Sequence, residues 1–126
     1  MKNIIIIFTV AAALMTGALL SCQKKSEAPS VTITSPANNA TIYLGDSLHI
    51  EGKLSDDESL HEAAIRVMAP SGDTVMAEYP SVHDLKTYTF HYHYKPLVTG
   101  VFLLQVVAED HDGNRTVQGR NFSVAP

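Results

Sequence analysis

From Val31 to the end of the chain, apolar and polar residues alternate with a period of two, in short runs broken by Gly, Pro, Asn and Asp. That period sends successive side chains to opposite faces of an extended backbone, so it dictates half-buried strands and excludes a helical bundle. The clearest run is 87–94 (TYTFHYHY), in which Tyr88, Phe90, Tyr92 and Tyr94 share one face and Thr87, Thr89, His91 and His93 the other. In 47–55, Leu48, Ile50, Gly52 and Leu54 oppose His49, Glu51, Lys53 and Ser55 in the same manner. Run 100–110 is apolar on both faces, which places it centrally in its sheet. Further strands are expected at 31–34, at 41–44 as a continuation of the same edge, and at 63–69, 74–79 and 115–124, with room for a turn of helix at 60–65. Strands at this spacing predict an all-β antiparallel sandwich of about seven strands.

The chain of 126 residues has a different character at its start. Lys2 precedes an almost wholly apolar stretch over 4–20, short for a bilayer span, rich in Ala and closed by a small residue before Cys22. Leu19-Leu20-Ser21-Cys22 resembles the bacterial lipobox, with the chain's single cysteine in the required position. The resemblance implies a lipoprotein signal peptide over 1–21, cleavage before Cys22, and acylation of that residue as a membrane anchor. Multiple acyl chains meet the two-anchor requirement for stable attachment. Residues 22–30 then read as a lipidated, flexible tether, and 31–126 as the folded domain. Gln23 stands where the inner-membrane retention signal has Asp, so the expected location is the outer membrane, on its periplasmic or surface side. A lone cysteine excludes a disulfide framework or a thiolate-rich zinc module. Residues 31–126 hold 6 basic and 12 acidic residues, a balance that argues against nucleic acid as a partner.

Ile33-Thr34-Ser35-Pro36 ahead of Gly45, and the series Gly100, Phe102, Leu104, Val106, Ala108, Asp110 followed by Gly113-Asn114, resemble bacterial immunoglobulin-like and fibronectin-III-like domains. Together with the lipobox, the pattern is similar to an uncharacterised family of Bacteroidetes lipoproteins that carry one such domain. The resemblance implies an immunoglobulin-like sandwich and an extracytoplasmic binding or accessory duty. Phe102 stands where many relatives have a corner tyrosine, so the hydroxyl-to-backbone bond of that motif is missing.

Two polar sets are candidates for a site. If Ile50 pairs with Tyr92, then His49 faces His93 and Glu51 faces His91, and the four form one outward patch suited to zinc or copper. The loops at one end carry Asp56, Asp57, Asp110, Asp112 and Asn114, an oxygen-rich set of the calcium type. His61, His83 and His111 lie on the same loops and form a further transition-metal candidate. No G-x-S-x-G elbow or other catalytic constellation is present, so the chain is expected not to be an enzyme. The expected role is a binding or assembly module with an envelope protein partner, with metal capture and a structural spacer as the alternatives.

Overall fold

The computed structural model describes residues 26–126, so the expected signal peptide, Cys22 and the first part of the tether lie outside the described residues. The described residues form eight strands: β1 (Ser30–Ser35), β2 (Ala40–Tyr43), β3 (Leu48–Ser55), β4 (Leu60–Met68), β5 (Thr74–Glu78), β6 (Thr87–Tyr94), β7 (Gly100–Asp110) and β8 (Arg115–Ala125). They build a three-stranded sheet, β1-β3-β6, and a five-stranded sheet, β2-β8-β7-β4-β5. The doubly apolar strand β7 is the middle strand of the larger sheet, paired with β8 on one side and β4 on the other; its inner face is buried, whereas Val101 on its outer face is exposed.

The structure departs from the expected strand plan in two places. Residues 40–43 do not continue the edge begun by β1. The chain turns at Pro36 to Asn39, crosses to the other sheet, and pairs in parallel with β8, with Ala40 opposite Phe122 and Tyr43 opposite Ala125. The turn is fixed by the left-handed backbone of Asn39 (φ 62°), a conformation that Asn tolerates better than most residues. The second departure is at 60–65, where no helical turn forms. Leu60 is fully buried and pairs with Asp110, which draws the start of β4 three residues ahead of the expected 63. Its burial removes apolar surface from water, which an isolated helical turn could not do.

The core lies between the sheets. Ile33, Ile50, Leu54 and Phe90 from the small sheet meet Ile65, Val67, Phe102, Leu104, Val106 and Phe122 from the large one. Phe102 stacks on Phe122 with ring centroids 5.2 Å apart, so the position without a tyrosine hydroxyl is filled by aromatic packing. Gly52 is needed where it stands, because a Cβ there would collide with the Thr32 carbonyl oxygen and with Phe90 Cζ. Tyr88 and Tyr92 bring their hydroxyls to 3.5 Å from one another beneath the small sheet. Burial, then the Tyr88 hydroxyl and the nearby Glu78 charge, push the Tyr92 phenol far above its ordinary range. Arg120 ties the layers together by donating from Nη2 to the Ile33 carbonyl at 3.2 Å.

Residues expected to end the tether are already attached to the sandwich. Ser26 Oγ donates to Asp110 Oδ2 at 3.3 Å, and Asn114 Nδ2 donates to the Ser26 carbonyl at 3.3 Å. Thr116 donates to the carbonyl of Pro29 just before β1 begins.

Candidate functional site

The six histidines of the chain fall into two trios, and in each trio one ligand atom per ring lies within 4.8 Å of the others. The first trio follows from strand register. β3 and β6 pair antiparallel with Ile50 opposite Tyr92, the pair assumed from the sequence, and with it His49 opposite His93 and Glu51 opposite His91. Because Ile50 and Phe90 point into the core, their neighbours His49, His91 and His93 point outward, and all three are exposed. His91 Nε2 lies 3.4 Å from His49 Nδ1 and 3.2 Å from Glu51 Oε1. The His49 and His93 rings meet edge to face at 4.4 Å between centroids. Three imidazoles beside a carboxylate, with no thiolate, make a donor set for a borderline divalent ion such as zinc or copper.

The second trio is built by two loops and the start of β4 at the opposite end of the sandwich, where Ser55 faces Thr87 and Leu60 faces Asp110; His61 is thus on a strand and not on the loop expected for it. His61 sits in a β-bulge: Leu60 pairs with Asp110 and Glu62 with Glu109, which leaves His61 without a partner on β7. A bulge breaks the strict alternation of a strand and re-aims the side chain it carries. His83 lies in the β5–β6 connection, and His111 opens the β7–β8 turn. Ring centroids are 4.8 Å apart for His61 and His111, 4.7 Å for His83 and His111, and 5.4 Å for His61 and His83. Asp84 joins two of them, with Oδ2 at 3.0 Å from His83 Nδ1 and Oδ1 at 3.0 Å from His111 Nε2.

Of the acidic residues in the expected calcium-type set, Asp110 and Asp56 accept hydrogen bonds from the N–H groups of their own turns. Among the described residues, the acidic loop set is not one of the clusters in which three such ligand atoms converge. Asp110 is almost fully buried, and both carboxylate oxygens are occupied. Oδ1 accepts from the backbone N–H groups of Asp112 and Asn114, each at 2.9 Å, and Oδ2 accepts from Asn114 Nδ2 at 2.9 Å and from Ser26. Burial pushes the Asp110 carboxyl up, but these hydrogen bonds together outweigh it and hold the group below the usual carboxylate range. Asn114 turns its amide nitrogen, and not its oxygen, toward Asp110. Asp56 Oδ2 accepts from the N–H groups of Glu58 and Ser59 and so shapes the β3–β4 loop. Asp57 and Asp112 are exposed.

Two facing sheets, a sheet-switching first segment and a core between them define an immunoglobulin-like sandwich. The chain belongs to the bacterial Ig domain family, which matches residues 29–118. Among solved structures it is similar to fibronectin(III)-like modules of CbhA from Clostridium thermocellum (23% identity, TM-score 0.55, 78% of this chain and 47% of that one). It is also similar to the CARDB domain of a Pyrococcus furiosus protein, described in complex with di-metal ions (14% identity, TM-score 0.54, 79% of this chain and 91% of that one). An engineered protein matches at 16% identity and a TM-score of 0.57 over 78% of this chain, which spans 20% of its length. At these identities the likeness is one of fold. No curated protein matches the chain in sequence.

Proposed function

We propose that the chain is a non-catalytic, lipid-anchored module of the bacterial envelope that binds a transition metal on the outward face of its small sheet. The observation that carries this reading is the β3–β6 register, which sets His49, His91 and His93 beside Glu51 on one exposed surface. Acylated Cys22 holds the module at the membrane, and the alternation of the strands supports the patch on a rigid backbone. Titration of the full chain in detergent with zinc or copper tests the patch. His91→Ala/His93→Ala lowers the number of tightly held ions by one, and equal uptake by both proteins overturns the assignment. Incorporation of labelled palmitate in cells, abolished by Cys22→Ser, tests the anchor.

An envelope protein partner is the second reading, favoured by one feature. β5 is a free sheet edge that exposes Val75, and Tyr79 follows it at the surface. Such an edge is a template for an added strand. Charged substitutions at Val75 and Tyr79 abolish co-purification of that partner if the edge holds it.

A further inference from the structure

The loop-end trio carries more construction than an exposed turn needs. We infer that His61, His83 and His111, oriented by Asp84, form a second and separate transition-metal site that takes a borderline divalent ion such as Zn2+ or Cu2+. It is argued from residues other than those of the sheet face and stands whether or not that face binds metal.

Four features converge on it. The bulge at His61 sets that ring beside His111 in place of the strand's regular alternation. His61 Nδ1 is buried without a hydrogen-bond partner, and a buried polar atom left in that state calls for an explanation that a bound ion supplies. Asp84 has a left-handed backbone (φ 66°), uncommon outside glycine though better tolerated by Asp, and its place is enforced from both sides. Its N–H donates to the Leu60 carbonyl at 2.9 Å, and Leu60 N–H donates to the Leu85 carbonyl at 2.7 Å. Leu60 and Val82, which flank the loop, are buried in the core. The backbone that presents His83 and Asp84 is therefore laced to the residue directly before His61.

The fourth feature is the carboxylate itself. Asp84 bonds two of the three rings at once, and a carboxylate on ligating imidazoles fixes ring orientation. Three imidazole ligands leave a further coordination position open to water or an exogenous donor. An open cleft of about 330 Å³, lined by His61, Tyr79, Pro80 and His83 among others, adjoins the trio and gives an ion a way in.

The test removes each trio in turn from the full chain. With His49, His91 and His93 all changed to Ala, titration calorimetry with zinc still shows one ion held per chain. In that background His83→Gln or His111→Gln, both at exposed positions, abolishes the uptake. Asp84→Asn weakens it by about 10- to 100-fold. Cobalt substituted for zinc gives the intense visible absorption of a low-coordinate site, which the His83→Gln protein lacks. Absence of uptake in the sheet-deleted chain overturns the site, and so does uptake indifferent to His83→Gln and His111→Gln. Neither result bears on the sheet face, which is read in the reciprocal background with the loop trio removed.

Discussion

The two histidine trios use the same side chain in the same number and are made in opposite ways. On the sheet face, each imidazole stands on a regular strand, and its neighbours are fixed by which residue faces which across β3 and β6. At the loop end, the bulged start of β4 meets the β5–β6 and β7–β8 connections, and the rings are brought together by that bulge, a left-handed aspartate and its bridging carboxylate. The first arrangement has regular backbones under exposed side chains, and its rings are restrained by Glu51 at His91 and by contacts with one another. The second has irregular backbones, yet its side chains are held from outside. Regular structure supplies position cheaply in sequence terms, whereas a loop site has to specify each orientation with a dedicated contact.

The comparison breaks most severely under the sheet-face trio. Phe90→Ala removes a fully buried core ring from the inner face of β6, opposite the face that carries His91 and His93, and should cost about 3–5 kcal/mol in a denaturant unfolding experiment. Gly52→Ala on the facing strand drives a methyl group into Thr32 and Phe90, with an expected loss of about 1–3 kcal/mol by overpacking. If Gly52→Ala left the unfolding midpoint unchanged, the close packing under this face would be wrong.

A milder and more local change strikes the loop end. Asp110→Asn places an amide where several donors converge and should lower stability by about 1–3 kcal/mol, read by the same unfolding curves. The acid side sharpens this. The folded state holds the Asp110 carboxyl below its unfolded range, so its contribution is complete above that range and drains away as pH falls through the folded value. Stability of the Asp110→Asn protein should consequently fall less between neutral and strongly acidic pH than that of the parent. The smallest effects belong to the histidines themselves. Without metal, His93→Ala should alter stability by no more than about 0.5 kcal/mol. His83→Ala should stay within about 1 kcal/mol, since its contact with Asp84 is exposed. A larger loss at His83 would make the Asp84 link a structural brace and not a ligand support.

These differences also explain how much was readable beforehand. Alternation alone gave the faces of β3 and β6, and with one assumed pair, Ile50 with Tyr92, the sheet-face patch followed by arithmetic. The central place of β7 was legible from its apolar residues on both faces, although on the outer face only Val107 is buried and Val101 stays exposed. The crossing of β2 to the other sheet was not, since residues 41–44 alternate equally well on either edge and the parallel pairing depends on the distant β8. The bulge at His61 was also hidden, because Leu60 and His61 read locally as a loop or helical turn until the burial of Leu60 against Asp110 decides the matter. Asp84 was visible only as one acidic loop residue among several. Its bond to His111 spans 27 residues of sequence, and no local signal announces such a contact. The acidic tips are ambiguous in sequence for a related reason, since the residue types that suit a calcium ligand are also those that close turns on themselves, as Asp110 and Asp56 do.

The hydrogen bonds of Ser26 to Asp110 and Asn114 set a leash. Four residue steps separate Cys22 from Ser26, and an extended chain of that length spans no more than about 14 Å. With Cys22 acylated as proposed, the β7–β8 turn rides against the lipid headgroups, and His111 travels with it. An ion captured there would be handled at the bilayer surface, while one held on the sheet face, toward the far ends of β3 and β6, would be offered to the surrounding fluid.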